Sequence, residues 1–157
     1  FLPHVEKFTQ LVRHRLTTVT ARKKHDGLAA TYIRFLSSLV QKQMHKPVFE
    51  APQVLEQIME QIIIPNIFMC DTDEDLFEDD PEVFMAADLE GGRLDSRRNC
   101  AQALLKNCGR HFVQQATEIG QRGIAALSTQ YSTNKQGEFR AKDAAIHLWL
   151  GIAIQAE

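Results

Sequence analysis

Cysteine is scarce in this chain, and several features that would point to other classes of protein are missing. The three cysteines, an odd number at irregular spacing, do not form a disulfide framework and favour reduced thiols in a cytosolic or nuclear protein. No apolar run approaches the roughly 20 residues that span a bilayer. There is no glycine-rich phosphate loop, and no histidine belongs to a pattern resembling a catalytic triad. The sequence therefore predicts a protein that is not an enzyme, needs no cofactor and does not act at a membrane.

Length and charge limit the remaining classes. A chain of 157 residues suits one domain and is long enough to bury a core. Its formal net charge of −2 gives no general attraction to nucleic acid or to an anionic membrane surface. The chain does not begin with Met, and it stops inside an apolar helical pattern. We therefore expect a piece of a longer protein.

Apolar residues recur at steps of three and four along most of the chain, which is typical of amphipathic helices. No pair of strands is convincing anywhere. The helices group into three antiparallel pairs at about 3–44, 51–112 and 113–156. Without an interruption at about 68–92, the pairs repeat at close to the period of about 40–47 residues of an α-solenoid of HEAT type. The prediction is an all-α solenoid with an insertion in its second pair, and a six-helix bundle is the alternative.

Three local patterns give more specific predictions. Pro65 should close the third helix, because the residue before a proline is pushed out of the α region. Gly120 and Gly123 each weaken a helix by about 1 kcal/mol, so we expect a neighbour to pack closely there. The last helix, 142–156, is apolar almost all round and should be buried between neighbours.

The interruption at 68–92, called here the acidic insert, has a charge pattern unlike the rest of the chain. From Asp71 to Glu90 it holds no Lys or Arg and half of the chain's 20 carboxylates. We expect a flexible arm in which only Pro81–Glu90 forms two or three helical turns, ended by Gly91-Gly92. The ten acidic residues are Asp71, Asp73, Glu74, Asp75, Glu78, Asp79, Asp80, Glu82, Asp88 and Glu90.

The sign of the charge reverses directly after the insert, at Arg93, Arg97 and Arg98. These arginines could form a surface for a carboxylate or phosphate of a partner. Alternatively, they pair with acids of the same chain such as Asp88, Glu90 or Asp95. We favour internal pairing, because those acids are so near in sequence.

Two metal-binding interpretations are weak. Asp71, Asp73, Asp75 and Glu82 match ligand positions of an EF-hand calcium loop, but Leu76 stands where the loop requires glycine. A second group, Cys100, Cys108 and His111, shares one helical face but lacks a fourth zinc ligand and the usual short cysteine spacing. Buried thiols between helices are the favoured reading, and we expect no metal.

The stretch IIIPNIFMCDTDEDLFEDDPEVFMAADLEGGRLDSRRNCAQALLK (62–106) resembles the importin-α re-exporters, exportins of the β-karyopherin family. The resemblance rests on IPN, an acidic DEDLFEDDPE, DLEG and D-x-RR in this order, followed by an amphipathic helix. The later KDAAIHLWL (142–150) looks like the opening of the next family helix. One departure is Ala86-Ala87, where the family usually has a basic pair.

The resemblance implies a fragment of a HEAT-repeat solenoid. The whole protein would bind importin-α together with Ran in its GTP form, contact nucleoporins, and shuttle between nucleus and cytoplasm through the nuclear pore. In related receptors such inserts lie on the concave side and touch Ran or cargo. The insert is therefore a candidate contact for a basic partner surface, and a merely solvated loop is the alternative.

Two other identities stay open at this point. One is an importin of the same β-karyopherin architecture. The other is a free-standing helical protein with an acidic arm that binds calcium or acts as a chaperone.

Overall fold

The computed structural model describes residues 2–18, 25–89 and 96–153, and these residues form helices and no strand. A 3₁₀ turn, Gln43–His45, precedes α3, and a π-helical turn, Met59–Ile63, joins α4 to α5. The predicted all-α class is therefore confirmed. The helices are α1 (Leu2–Thr18), α2 (Asp26–Val40), α3 (Lys46–Phe49), α4 (Pro52–Ile58), α5 (Ile64–Ile67), α6 (Asp71–Asp79), α7 (Pro81–Leu89), α8 (Arg97–His111), α9 (Val113–Thr133) and α10 (Phe139–Ala153).

The core lies between packed helices, several of them distant in sequence, throughout the part of the chain that the structure describes. Helix α2 packs on α8, and α8 and α9 both pack on α10. Ile33, Leu104 and Leu148 have no exposed surface, and burial of such a side chain contributes about 1.5–3 kcal/mol. The apolar steps of three and four residues seen in the sequence thus mark the faces that pack together.

Glycines allow the last helices to approach closely. A Cβ atom added to Gly120 would clash with the side chain of Ile152, and one added to Gly123 would lie 2.9 Å from side chains of α5 and α10. The predicted close packing at both glycines is therefore confirmed. Gly151 is similar, because an added Cβ would lie 2.8 Å from Cγ of the buried Leu105.

Pro65 does not end its helix, contrary to the prediction. The helix continues to Ile67. The π turn Met59–Ile63 precedes Pro65, and its wider spacing of backbone hydrogen bonds accommodates a residue that has no N–H group. Asn66 Nδ2 also donates to the carbonyl oxygen of Ile62, at 2.7 Å. The backbone near the proline is thus partly satisfied by a side chain.

The last helix also differs from the prediction. Helix α10 begins at Phe139, before the expected Lys142, and its last predicted residues lie outside the described part of the chain. Its inner face is buried, but Ile146 and Trp149 are 49% and 58% exposed. Burial all round was wrong, because no described helix covers the outer face.

The acidic insert is folded, which the expectation of a flexible arm did not anticipate. Pro81–Leu89 forms α7, in agreement with the predicted turns, but Asp71–Asp79 forms a further helix, α6. The insert thus lies between α5 and α8 as two short helices, with Glu90 and Gly91-Gly92 outside the described residues.

Replacement of Gly151 by alanine tests the close approach of α10 to α8. We expect a net loss of about 1 kcal/mol or more in the free energy of unfolding, because overpacking against Leu105 outweighs the gain in helix propensity of about 1 kcal/mol. Urea denaturation measures the change. Gly27→Ala is the control, since nothing lies within 4 Å of its added Cβ, and it should stabilise the protein slightly. Equal stabilisation by both changes would contradict the packing argument.

Candidate functional site

Carboxylates at the start of α6 stabilise the helix that carries them. Cys70 is the N-cap residue, and Asp73 Oδ2 accepts hydrogen bonds from the Cys70 N–H and Sγ, both at 3.1 Å. Asp71, Asp73 and Glu74 all lie in the first turn, where negative charge interacts favourably with the helix dipole. This arrangement explains why so acidic a segment is helical.

A capping residue and an aromatic pair join α6 to α7. Asp80 Oδ1 accepts a hydrogen bond from the Val83 N–H at 3.1 Å, next to Pro81 at the start of α7. The rings of Phe77 and Phe84 meet edge to face, with their centroids 5.5 Å apart. These contacts fix the two helices of the insert as a hairpin.

Most of the predicted acidic residues face solvent. Asp73, Glu74 and Asp88 are partly buried, and Glu90 lies outside the described residues. Large apolar side chains lie among the exposed acids, with Phe77 and Met85 about half exposed. Six acidic residues of the insert are exposed, and together they are called here the exposed acidic surface: Asp71, Asp75, Glu78, Asp79, Asp80 and Glu82.

The Arg98 guanidinium anchors the insert to the rest of the chain. Only 5% of its side chain is exposed. Nε donates to Asp88 Oδ1 at 2.9 Å, and Nη1 donates to Asp143 Oδ2 at 2.8 Å and to the Ile67 carbonyl oxygen at 2.9 Å. One side chain of α8 therefore holds α5, α7 and α10 together.

His147 and Gln102 complete this cluster. His147 Nε2 lies 3.2 Å from Asp88 Oδ2, and its Nδ1 lies 2.9 Å from the Gln102 amide nitrogen. Because an amide nitrogen donates, Nδ1 accepts and Nε2 carries the hydrogen that faces Asp88. The histidine inside the apolar helix α10 is therefore hydrogen-bonded to both Asp88 and Gln102.

Opposing effects act on the charges of this cluster. Burial alone would raise the pKa of Asp88, but the hydrogen bond from His147 and the positive charge of Arg98 hold that pKa below its ordinary value. Burial would lower the pKa of Arg98, yet its bonds to Asp143 and Asp88 raise it. Both groups therefore stay ionised, and each neutralises the other inside the protein.

A second anchor holds α6 and is more exposed. Arg140 of α10 donates hydrogen bonds to Glu74 and to Asp71, the latter at 3.0 Å. The bond to Glu74 is the main reason that the pKa of Arg140 is raised, and the bond to Asp71 adds to it. Asp71 remains 90% exposed in spite of this pairing.

The predicted basic residues pair within the chain where the structure describes them. Arg98 binds Asp88, one of the acids expected from the sequence. Arg97 binds Asp26 of α2 at 2.9 Å, which was not expected. Arg93 and Asp95 lie outside the described residues. This geometry favours internal pairing over a basic surface for a partner.

The geometry also bears on the metal-binding interpretations. An EF-hand needs a loop at 71–82, but Asp71, Asp73 and Asp75 lie on helix α6, where residues two apart do not face each other. Cys100 and Cys108 are buried in the core, and burial raises the pKa of the Cys108 thiol to about 12. Across 2–18, 25–89 and 96–153, no three His, Cys, Asp or Glu residues are grouped to hold a metal ion, and no helix has the length and apolarity to cross a membrane.

Sequence reasoning missed the residues of α10 that anchor the insert, namely Arg140, Asp143 and His147. The spacing of Asp143 and His147, four residues apart, places both on one helix face and was a usable signal. Nothing local indicates their partner Arg98, which lies 45 residues away from Asp143 in sequence. Pairing at such a distance becomes visible only in the folded chain.

Replacement of Arg98 by methionine tests the buried anchor. We expect a loss of about 3–5 kcal/mol in the free energy of unfolding, because Asp88 and Asp143 would lose their buried partner. Urea denaturation measures it, and limited proteolysis within the insert should become faster. Arg140→Met is the matched control and should cost less, about 1 kcal/mol, since its ion pairs are more exposed than those of Arg98. Similar losses in both variants would contradict the assignment.

Comparison with known proteins identifies relatives along the whole chain. The Cse1 family model matches residues 1–157. The importin-alpha re-exporter of Schizosaccharomyces pombe is 39% identical over 142 residues, which cover 90% of this chain and 15% of that protein. Exportin-2 of Drosophila melanogaster is 34% identical over 148 residues, which cover 94% of this chain and 15% of that protein.

A solved structure described as the exportin Cse1 in its cargo-free, cytoplasmic state matches 99% of this chain and 17% of its own length. The TM-score is 0.88 and the sequence identity is 28%. This match confirms the predicted helical solenoid, and the relatives confirm the predicted resemblance. This chain spans only about 15% of the length of the relatives above. Since the family model matches from the first residue to the last, the chain belongs to the Cse1 family.

Proposed function

We propose that this chain is part of a nuclear export receptor, and that the whole protein carries importin-α out of the nucleus in complex with Ran in its GTP form. The family membership supports this role, as do relatives named importin-alpha re-exporter and exportin-2. The whole protein then shuttles between nucleus and cytoplasm and contacts nucleoporins on the way. Its role is binding rather than catalysis.

The folded insert is the observation that supports a binding role for this segment. Its exposed acidic surface is held at fixed positions by Arg98 and Arg140, and it is not a loose tail. We propose that this surface contacts a basic surface of Ran or of importin-α. We leave Asp88 and Arg98 out of the contact, because they neutralise each other inside the chain.

Physical chemistry specifies what such a contact does. Six carboxylates at the surface of one hairpin attract a basic partner, speed association and reject partners of like charge. Exposed charges are screened over about 8 Å at physiological salt, so the contribution falls steeply as ionic strength rises. Half-exposed Phe77 and Met85 offer apolar surface beside these charges.

The transport direction predicts how binding depends on nucleotide. If the whole protein is an exporter, immobilised importin-α should retain it only when Ran locked in its GTP form is present. With Ran in its GDP form, or without Ran, retention should fall to background. Cargo binding in the absence of Ran, abolished by its GTP form, would instead indicate an importin of the same architecture.

Neutralisation of acids tests the insert separately. The triple variant Asp75→Asn, Glu78→Gln and Asp79→Asn should weaken assembly with importin-α and GTP-form Ran by about tenfold at low salt, and the effect should shrink as salt increases. Calorimetric titration at two salt concentrations measures both.

A matched control removes three exposed acids elsewhere: Glu6→Gln, Glu50→Gln and Glu118→Gln. The change in net charge is the same, so only a local contact distinguishes the two triple variants. Equal affinity and equal salt dependence for the two would rule out a contact by the insert, while the proposal of export by the whole protein would stand.

A further inference from the structure

A polar groove lies between α1 and the helix formed by α4 and the π turn. One wall consists of Gln10, Arg13, His14 and Thr17, and the other of Gln57, Gln61 and the buried Ile62. The groove is open, has a volume of about 370 Å³ and has no acidic residue in its lining. None of these residues belongs to the insert or to its anchors.

Arg13 is the charged group of the groove, and its charge is not balanced. Its guanidinium donates to Gln57 Oε1, which fixes it across the groove. Within the described ranges no carboxylate lies within 4 Å of it, whereas Arg98, Arg122 and Arg140 each have two such partners. Burial without a counter-charge lowers the pKa of Arg13. A guanidinium in this position favours an incoming anion.

The glutamine side chains of the groove can form the hydrogen bonds that a peptide backbone requires. The amides of Gln10 and Gln61 make no side-chain hydrogen bond to other residues that the structure describes, and each offers both a donor and an acceptor. A peptide unit needs the same pair. Gln10 and Thr17 are two helical turns apart, about 10 Å, which is the length of about three residues of extended chain.

We propose that this groove binds an extended peptide segment that carries an acidic side chain, with the carboxylate on Arg13 and the main chain on the glutamines. The partner is an acidic segment of another protein that is unfolded before it binds. This site is distinct from the acidic insert, which selects partners of the opposite charge.

The experiment uses the intact protein and two fluorescein-labelled pentapeptides, one alternating serine with glutamate and the other alternating serine with glutamine. Fluorescence anisotropy gives both affinities. We expect the glutamate peptide to bind about tenfold more tightly, as a charge-assisted hydrogen bond provides. Arg13→Gln should abolish this preference. Arg15→Gln, a change of the same charge on the exposed part of the same helix, should keep it.

Gln61→Ala provides a second test that leaves Arg13 and its bond to Gln57 in place. It should weaken both peptides by roughly threefold, the effect of one hydrogen bond. Inorganic phosphate, added as a competitor, tests whether the groove binds any free anion rather than a peptide. Competition by phosphate as effective as that by the glutamate peptide would overturn the peptide groove. Equal effects of Arg13→Gln and Arg15→Gln, or no preference for the glutamate peptide, would overturn the site altogether.

Discussion

The position of the insert depends on the Arg98 guanidinium. Its donors are shared among Asp88, Asp143 and the carbonyl oxygen of Ile67, which belong to three different helices. A buried charge is tolerated only when its partners satisfy it, so these three groups must come together whenever α8 is in place. The solenoid therefore determines where the hairpin of the insert lies, and the hairpin in turn covers the charge.

A fixed insert and a flexible arm recognise partners differently. A flexible arm must be ordered on binding, and the lost conformational entropy weakens the contact. In this chain the ordering is already complete, because Cys70 caps α6 and Phe77 packs on Phe84. The exposed carboxylates thus keep a defined spacing, and a partner with a matching arrangement of basic groups binds without that loss.

The sequence was sufficient for the regular parts of the fold. The apolar steps of three and four residues predicted helices along most of the chain, and Gly120 correctly indicated a close neighbour. It was insufficient where one local signal competed with another. Pro65 is a strong helix breaker, yet the π turn before it removes the conflict. The negative charges of α6 repel one another, yet those in the first turn stabilise the helix through its dipole.

Only part of the candidate site could be predicted from the sequence. The acidic residues of α6 and the change of sign at Arg97 and Arg98 stand out in the sequence. The distant partner of Arg97, Asp26, cannot be inferred from proximity, but the pairing of Arg98 follows from its closeness to Asp88. The contribution of α10 does not, because Asp143 reaches Arg98 across 45 residues. Long-range ion pairs depend on how helices stack, which no local spacing encodes.

The π turn Met59–Ile63 has a consequence for how this segment tolerates change. One residue rotates a helix by about 100°. The extra residue in this wide turn therefore sets the direction in which the end of α5 points its carbonyl groups, including that of Ile67. Side chains in this turn can vary as long as they stay apolar where buried, whereas loss of a single residue would turn the Ile67 oxygen away from α8.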